Sequence, residues 1–344
     1  MTATDVLLGG VNGLTEYLSL HVVTCLVPAM FIAGAISAFA SQAAILKYFG
    51  PHAKKPVAYA VGSVSGAVLA VCSCTVLPLF GGIYKRGAGL GPAIAFLFSG
   101  PAINILAIVY TANILGFQLG IARAVGAIAF AITIGLIMAF IFRKEETQKA
   151  KTMAIEQVQE DGGKKSWQYG LFFGALIGIL ITAAANYWIP FGILCGILGV
   201  FLWRWFTRDE IKEWMEETLF FVRRLIPWLL IGVFIAGILG VVIPPTAMAT
   251  YMGGNSVLSN FIASIGGSLM YIATLTEVPI IKTFMDLGMG NGPALALLLA
   301  GPSLSIPCML ALRGIMGIKK TLVYVGLVVA AATVTGLIYG SISQ

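Results

Sequence analysis

Apolar runs long enough to cross a bilayer recur along this chain, among them Leu18–Ala40, Phe117–Phe142, Tyr169–Tyr187 and Thr321–Tyr339. A helix of about 20 apolar residues spans the hydrocarbon core of a membrane. Inside that core no water can satisfy a backbone N–H or C=O, so the chain must bond its own backbone, and runs of this length do so as helices. Composition agrees: 59% of the residues are hydrophobic and 10% are charged, against about 25% charged in a soluble domain. The expected fold class is an all-α polytopic membrane protein, multi-pass in the cell inner (cytoplasmic) membrane. A net charge of +7 then belongs to cytoplasmic loops and calls for no nucleic-acid partner. Met1 to Leu20 contains no Lys or Arg, so it lacks the basic region of a cleaved signal peptide. The cysteines (Cys25, Cys72, Cys74, Cys195 and Cys308) all lie in apolar context, which is not a secreted disulfide framework. No GxxxxGK[ST] stretch is present. No cofactor, metal site or catalytic centre is expected, and the chain reads as something other than an enzyme.

An internal repeat organises the chain. Cys72-Ser73-Cys74-Thr75-Val76-Leu77-Pro78 is followed by Ser99-Gly100-Pro101-Ala102-Ile103-Asn104. About 200 residues later the layout returns as Thr274-Leu275-Thr276-Glu277-Val278-Pro279 and Ala300-Gly301-Pro302-Ser303-Leu304-Ser305. Four regions follow: a first membrane repeat over 1–142, a polar linker over 143–166, two connecting helices over 167–208, and a second repeat over 209–344. Gly87-Ala88-Gly89-Leu90-Gly91-Pro92 has no strand before it and reads as a hinge rather than a nucleotide loop. Lys and Arg mark cytoplasmic loops. Lys47/Lys54/Lys55, Lys85/Arg86, the linker, Arg204–Arg224 and Arg313–Lys320 are therefore expected inside, and the uncharged Tyr187–Pro190 and Pro244–Ser256 outside. Arg204–Arg224, with its tryptophans, is expected to lie at the interface. On this assignment 56–84 enters from and returns to the cytoplasm, with Cys72–Pro78 at its tip. The segment 257–285 re-enters from outside, with Thr274–Pro279 at its tip. The expectation is two inverted repeats, about eight transmembrane helices plus two re-entrant or broken hairpins, with both chain ends external.

Three groups of residues could carry chemistry. Two thiols at Cys-x-Cys spacing, Cys72 and Cys74, can converge on one soft acceptor such as Cu(I), zinc or trivalent arsenic, with Ser73 and Thr75 beside them. The alternative is that they only fill space. Glu277 is an acidic residue in an apolar stretch, which is a functional hypothesis by default. With the hydroxyls of Thr274 and Thr276 beside it, Glu277 is assigned proton exchange, the alternative being a static ion pair with Lys282 or Arg123. Asn104 and Ser305 each follow a Gly-Pro break, where a half-helix would begin with unbonded N–H groups. There they orient a polar substrate group or bond between helices. Lys85, Arg86 and Arg123 read as topology markers or snorkelling side chains.

The run from Cys72–Pro78 through Gly81-Gly82-Ile83-Tyr84-Lys85-Arg86 and Gly87–Pro92 to Ser99–Asn104 resembles the bacterial and archaeal predicted-permease family that includes the ArsP-type exporters. The resemblance covers most of the chain and is strongest over 66–110 and its echo at 267–312, including Thr276-Glu277-Val278-Pro279. It implies a secondary-active permease whose cysteines, Cys72 and Cys74 here, bind trivalent organoarsenicals for efflux. The substrate-binding set is then Cys72, Ser73, Cys74, Thr75, Asn104, Thr276, Glu277 and Ser305. The expected partners are the lipid bilayer, a small-molecule substrate and a proton gradient, and a homo-oligomer is compatible with the sequence. Two other readings stay open: a membrane thiol–disulfide electron-transfer protein, and the membrane subunit of a larger complex that docks through Arg204–Arg224.

Overall fold

The computed structural model describes residues 3–18, 26–39, 53–69, 73–103, 105–148, 166–185, 187–242, 251–270 and 277–343. Among them the chain is nearly all helix, with one isolated bridge between Gly253 and Met289. The first part holds α1 (Ala3–Tyr17), α2 (Val27–Phe39), α3 (Lys55–Leu69), α4 (Ser73–Lys85), α5 (Leu90–Ala102), α6 (Ile105–Ile114) and α7 (Phe117–Ile141). Two helices, α8 (Ser166–Ala184) and α9 (Trp188–Trp205), lead to α10 (Arg208–Val242). The rest is α11 (Val257–Leu269), α12 (Glu277–Asp286), α13 (Asn291–Ala300), α14 (Ile306–Met316) and α15 (Ile318–Ile342). Four of the described helices, α7, α9, α10 and α15, are long and apolar enough to cross a membrane. The bent pair α5–α6, whose axes differ by 43°, makes a fifth if it counts as one span.

One face gathers charge. At the end of α4, Lys85 Nζ lies 2.5 Å from Glu217 Oε2 at the start of α10, and the Ser37 hydroxyl of α2 donates to the same oxygen at 2.6 Å. Arg86 donates to the carbonyls of Ser37 and Ala38. Burial pulls the Arg86 guanidinium below its ordinary pKa, and Glu213 and Glu217 pull it back up. Beyond the end of α7, Glu146 accepts from Tyr84 Oη at 2.9 Å, from Lys320 Nζ at 3.1 Å and from the Leu90 N–H at 3.1 Å. The last of these caps the first turn of α5, where an anion is favoured. A cavity of about 770 Å³ beside Glu146 is lined also by Lys55 and Tyr59 of α3 and by Arg143. The start of α3, the end of α4 and the start of α15 therefore share one face. Lys85 and Arg86 lie on the same face as the 204–224 stretch, as their charge predicts.

The opposite face is tied together by amides, and the charges it carries at the end of α12, Lys282 and Asp286, pair with each other. The Gly290 N–H donates to Met252 O at 3.1 Å beside the Gly253–Met289 bridge, so the start of α11 and the end of α12 lie together. Asn255 ties this corner to the far end of α15 through Leu337 O at 3.1 Å and Ser341 Oγ at 3.2 Å. The pair α3–α4 thus opens at the Lys320 end of α15, and the pair α11–α12 opens at the Ser341 end.

The same seam appears in both halves. A Cβ on Gly91 of α5 would stand 2.9 Å from Gly135 O of α7, and one on Gly292 of α13 would stand 2.6 Å from Gly336 O of α15. Backbones this close need the missing side chain, and packing between apolar helices in lipid relies on such small residues. Both points carry Gly-Pro-Ala, at Gly91-Pro92-Ala93 and Gly292-Pro293-Ala294.

Three local features add to the reading of the sequence. The charged stretch from Arg208 to Arg224 is continuous with the apolar run after it, since Arg208 to Val242 is one helix of 35 residues. Composition changes at Leu225 but helix propensity does not. The stretch before Leu18 forms α1, whose Gly13 lies against Gly237 of α10, where a Cβ would meet the Gly237 Cα at 3.3 Å. At the Gly100-Pro101 step α5 runs one residue past the proline, to Ala102, with the Ile103 N–H bonded to Ser99 O at 2.8 Å, before the 43° bend into α6. A proline in the last turn removes only one donor. In the second half α13 stops at Gly301.

Candidate functional site

Two charges are buried between the halves. Arg123, in the second turn of α7, is 0% exposed, and Glu277, the first residue of α12, is 2% exposed. A rise of 1.5 Å per residue places Arg123 about 9 Å in from the start of α7, well below the face opposite the charged one. Its Nη2 lies 3.3 Å from Glu277 Oε2, and its Nη1 donates to Thr111 Oγ1 of α6 at 2.9 Å. Thr111 is itself buried and donates to Ala107 O at 2.6 Å, so its lone pairs are turned toward the arginine. Pro279 falls in the first turn of α12, where a missing N–H costs nothing.

The pairing is incomplete. A guanidinium and a carboxylate can form two parallel bonds. Here there is one, and it is long. Among the described residues neither Arg123 Nε nor Glu277 Oε1 has a hydrogen-bond partner. Oε1 points at the second break, since a Cβ on Gly301 would lie 2.9 Å from it. Ser303 in the same turn is 4% exposed, and its hydroxyl also has no partner among the described residues. Buried polar groups left over in a native fold call for an explanation. A proton, water or a substrate group would satisfy these.

Around this point the broken elements share a polarity. Helices α4 and α14 run from Ser73 and Ile306 toward the charged face, where Lys85 and Arg313 end them. Helices α6 and α12 run from Ile105 and Glu277 toward the opposite face. Of these, α12 opens at the buried Glu277 and α14 follows the buried Ser305, whose hydroxyl caps it.

The structure distributes the sequence-predicted residues unevenly. Glu277 is central. Lys282, one of its two candidate partners, instead pairs with Asp286 at 2.7 Å on the surface. Arg123 is the partner it has, which corrects the reading of Arg123 as a topology marker or snorkelling side chain. Ser305 is buried and accepts from the Cys308 N–H at 3.4 Å, so its hydroxyl caps α14. Thr75 is buried in α4. Ser73 and Cys74 open α4, and their side chains lie outside the described residues, as do Cys72, Asn104, Thr274 and Thr276. Thr111, Gly301 and Ser303 were not selected from sequence, and Arg123 was named only as a candidate partner of Glu277 or as a topology marker. Arg123 was legible by the argument that selected Glu277, because it is the only charge between Phe117 and Phe142.

Helices of this length and apolarity define a multi-pass membrane protein. Residues 7–341 match the family described as predicted permease, and the chain belongs to that family. It is similar to UPF0718 protein MJ0584 of Methanocaldococcus jannaschii, 46% identical over 349 residues that span 96% of this chain and 95% of that protein. It is also similar to UPF0718 protein YraQ of Escherichia coli, 26% identical over 274 residues, 79% of this chain and 64% of that protein. No solved structure matches the chain.

Proposed function

We propose that this protein is a secondary-active permease of the cytoplasmic membrane that moves a small, soft or amphipathic solute, with proton exchange at Glu277. The observation that carries the reading is the buried Arg123–Glu277 pair, held by one bond and leaving a carboxylate oxygen aimed at the Gly301 break. A carboxylate fully engaged by its arginine has no reason to take up a proton, whereas one with a spare oxygen beside a break can exchange it.

The architecture proposed is two inverted repeats with eight crossings and two re-entrant hairpins. Support comes from the α3–α4 and α11–α12 pairs opening at opposite ends of α15, and from the matched Gly91–Gly135 and Gly292–Gly336 seams. In such transporters the site lies where broken elements meet near the midplane, with half-helix N-termini turned toward the substrate. The leading cargo is a trivalent organoarsenical, exported with Cys72 and Cys74 as its sulfur ligands. That choice rests on the Cys-Ser-Cys spacing at the start of α4 and on the softness of the thiolates.

The test is uptake of a labelled trivalent phenylarsenical into everted membrane vesicles, with wild type against the Cys72→Ser/Cys74→Ser double variant. Gradient-dependent accumulation that the double variant loses is the expected result. Accumulation unchanged in the double variant removes the thiol site, and no accumulation by wild type removes the arsenical.

A further inference from the structure

A second site lies on the charged face, away from Glu277. Arg223 and Arg224 of α10, Arg313 of α14, Trp228 and Gly314 line an open cavity of about 370 Å³. Among the described residues three guanidinium groups line it and no carboxylate does. The nearest acids along α10 are engaged elsewhere: Glu216 faces Lys212 at 4.0 Å, and Glu217 is taken by Lys85 and Ser37. The cations are held in place. Arg224 Nε donates to Gly314 O at 2.6 Å, which uses one of its five N–H groups and fixes the plane of the rest. Arg313 lies over the Trp228 ring, 5.2 Å from its centroid.

The depth of the cavity selects among anions. Arg223 and Arg224 are the last charges of α10, and from Leu225 to Val242 the helix is uncharged. Arg224, Trp228, Ile231 and Ile235 follow at helical spacings of four, three and four, on one face of α10. Ile231 and Ile235 are 48% and 39% exposed. A cationic pocket with a tryptophan at its edge and an apolar stripe running deeper fits a molecule with a phosphate at the interface and a hydrocarbon chain below it.

We propose that Arg223, Arg224 and Arg313 bind the phosphate of an anionic phospholipid, with Trp228 at its glycerol level and the Ile231–Ile235 stripe along its acyl chain. The site does not depend on the cargo or on proton coupling.

The test uses the intact protein extracted from vesicles of phosphatidylcholine and phosphatidylglycerol, with retained lipid counted by native mass spectrometry. Wild type is expected to keep phosphatidylglycerol in preference to phosphatidylcholine. At about one kcal/mol per basic group near the surface, the Arg223→Gln/Arg224→Gln/Arg313→Gln variant loses roughly a hundredfold in phosphatidylglycerol affinity. Arg313→Gln alone, which leaves α10 intact, loses about fivefold. The matched variant Arg204→Gln/Arg208→Gln/Lys319→Gln changes the charge of the same face without touching the cavity and is expected to retain the preference. Equal retention of both lipids by wild type, or equal loss in the matched variant, overturns the proposal. So does wild-type binding of inorganic phosphate at millimolar concentration without a phosphatidylglycerol preference, which would make the site one for a soluble anion.

Discussion

Removing Glu277 leaves the Arg123 guanidinium buried and unopposed, and removing Arg123 does the same to the carboxylate. At 3.3 Å and an effective dielectric of about 20, the Coulomb attraction between full charges is about 5 kcal/mol. Desolvation offsets much of it, and breaking one side of a buried pair costs about 3–5 kcal/mol. Glu277→Gln and Arg123→Gln should therefore each destabilise by that amount. The double variant removes both charges and so leaves neither a buried guanidinium nor a buried carboxylate unopposed. It should destabilise by clearly less than the sum of the singles, with a coupling of about 1–3 kcal/mol. The assay is reversible unfolding of the purified protein in mixed micelles, run as a double-mutant cycle. Additivity to within about 0.5 kcal/mol would refute the reasoning, because the two groups would then not sense each other and the pair could not organise the site.

Other outcomes follow from the same geometry. Gly301→Ala places a methyl 2.9 Å from Glu277 Oε1 and 3.1 Å from Leu297 O. Overpacking of this kind costs about 1–3 kcal/mol, and transport should fall further than stability does, as uptake and unfolding measured side by side would reveal. Glu146→Ala strips the cap from Leu90 and leaves Tyr84 and Lys320 without their common acceptor. A loss of about 2–3 kcal/mol is expected, measured as a lowered midpoint in the same micelles, with Glu146→Gln milder than Glu146→Ala.

Where a single physical signal dominates, sequence and structure agree. The span read as Phe117–Phe142 is α7, Phe117–Ile141, because nothing in that run competes with a lipid-crossing helix. Glu277 stood out because a carboxylate in an apolar stretch is costly. Arg123 carries the same signal, but a long cationic side chain also snorkels, and only the tertiary contact between α7 and α12 separates the two roles. The Gly-Pro motifs look alike in sequence and end differently. Ser305 caps α14 after Gly301-Pro302, with Pro307 in its first turn, whereas Pro101 sits in the closing turn of α5 with the helix intact through Ala102. Whether a proline breaks a helix depends on the residues after it. The continuity of α10 was hidden because charge and hydropathy change at Leu225 while the backbone does not. The seam between α1 and α10 was hidden because glycine lowers helix propensity and yet permits close packing.

The most direct test of the central claim is uptake of the trivalent phenylarsenical into everted vesicles by wild type and Glu277→Gln, each with and without an imposed proton gradient and matched for protein in the membrane. The account predicts that wild type accumulates the solute only with the gradient, while Glu277→Gln gains nothing from the gradient and still binds or equilibrates the solute. Accumulation by Glu277→Gln that responds to the gradient as wild type does would contradict it, and would reduce the Arg123–Glu277 pair to a structural tie between the two halves.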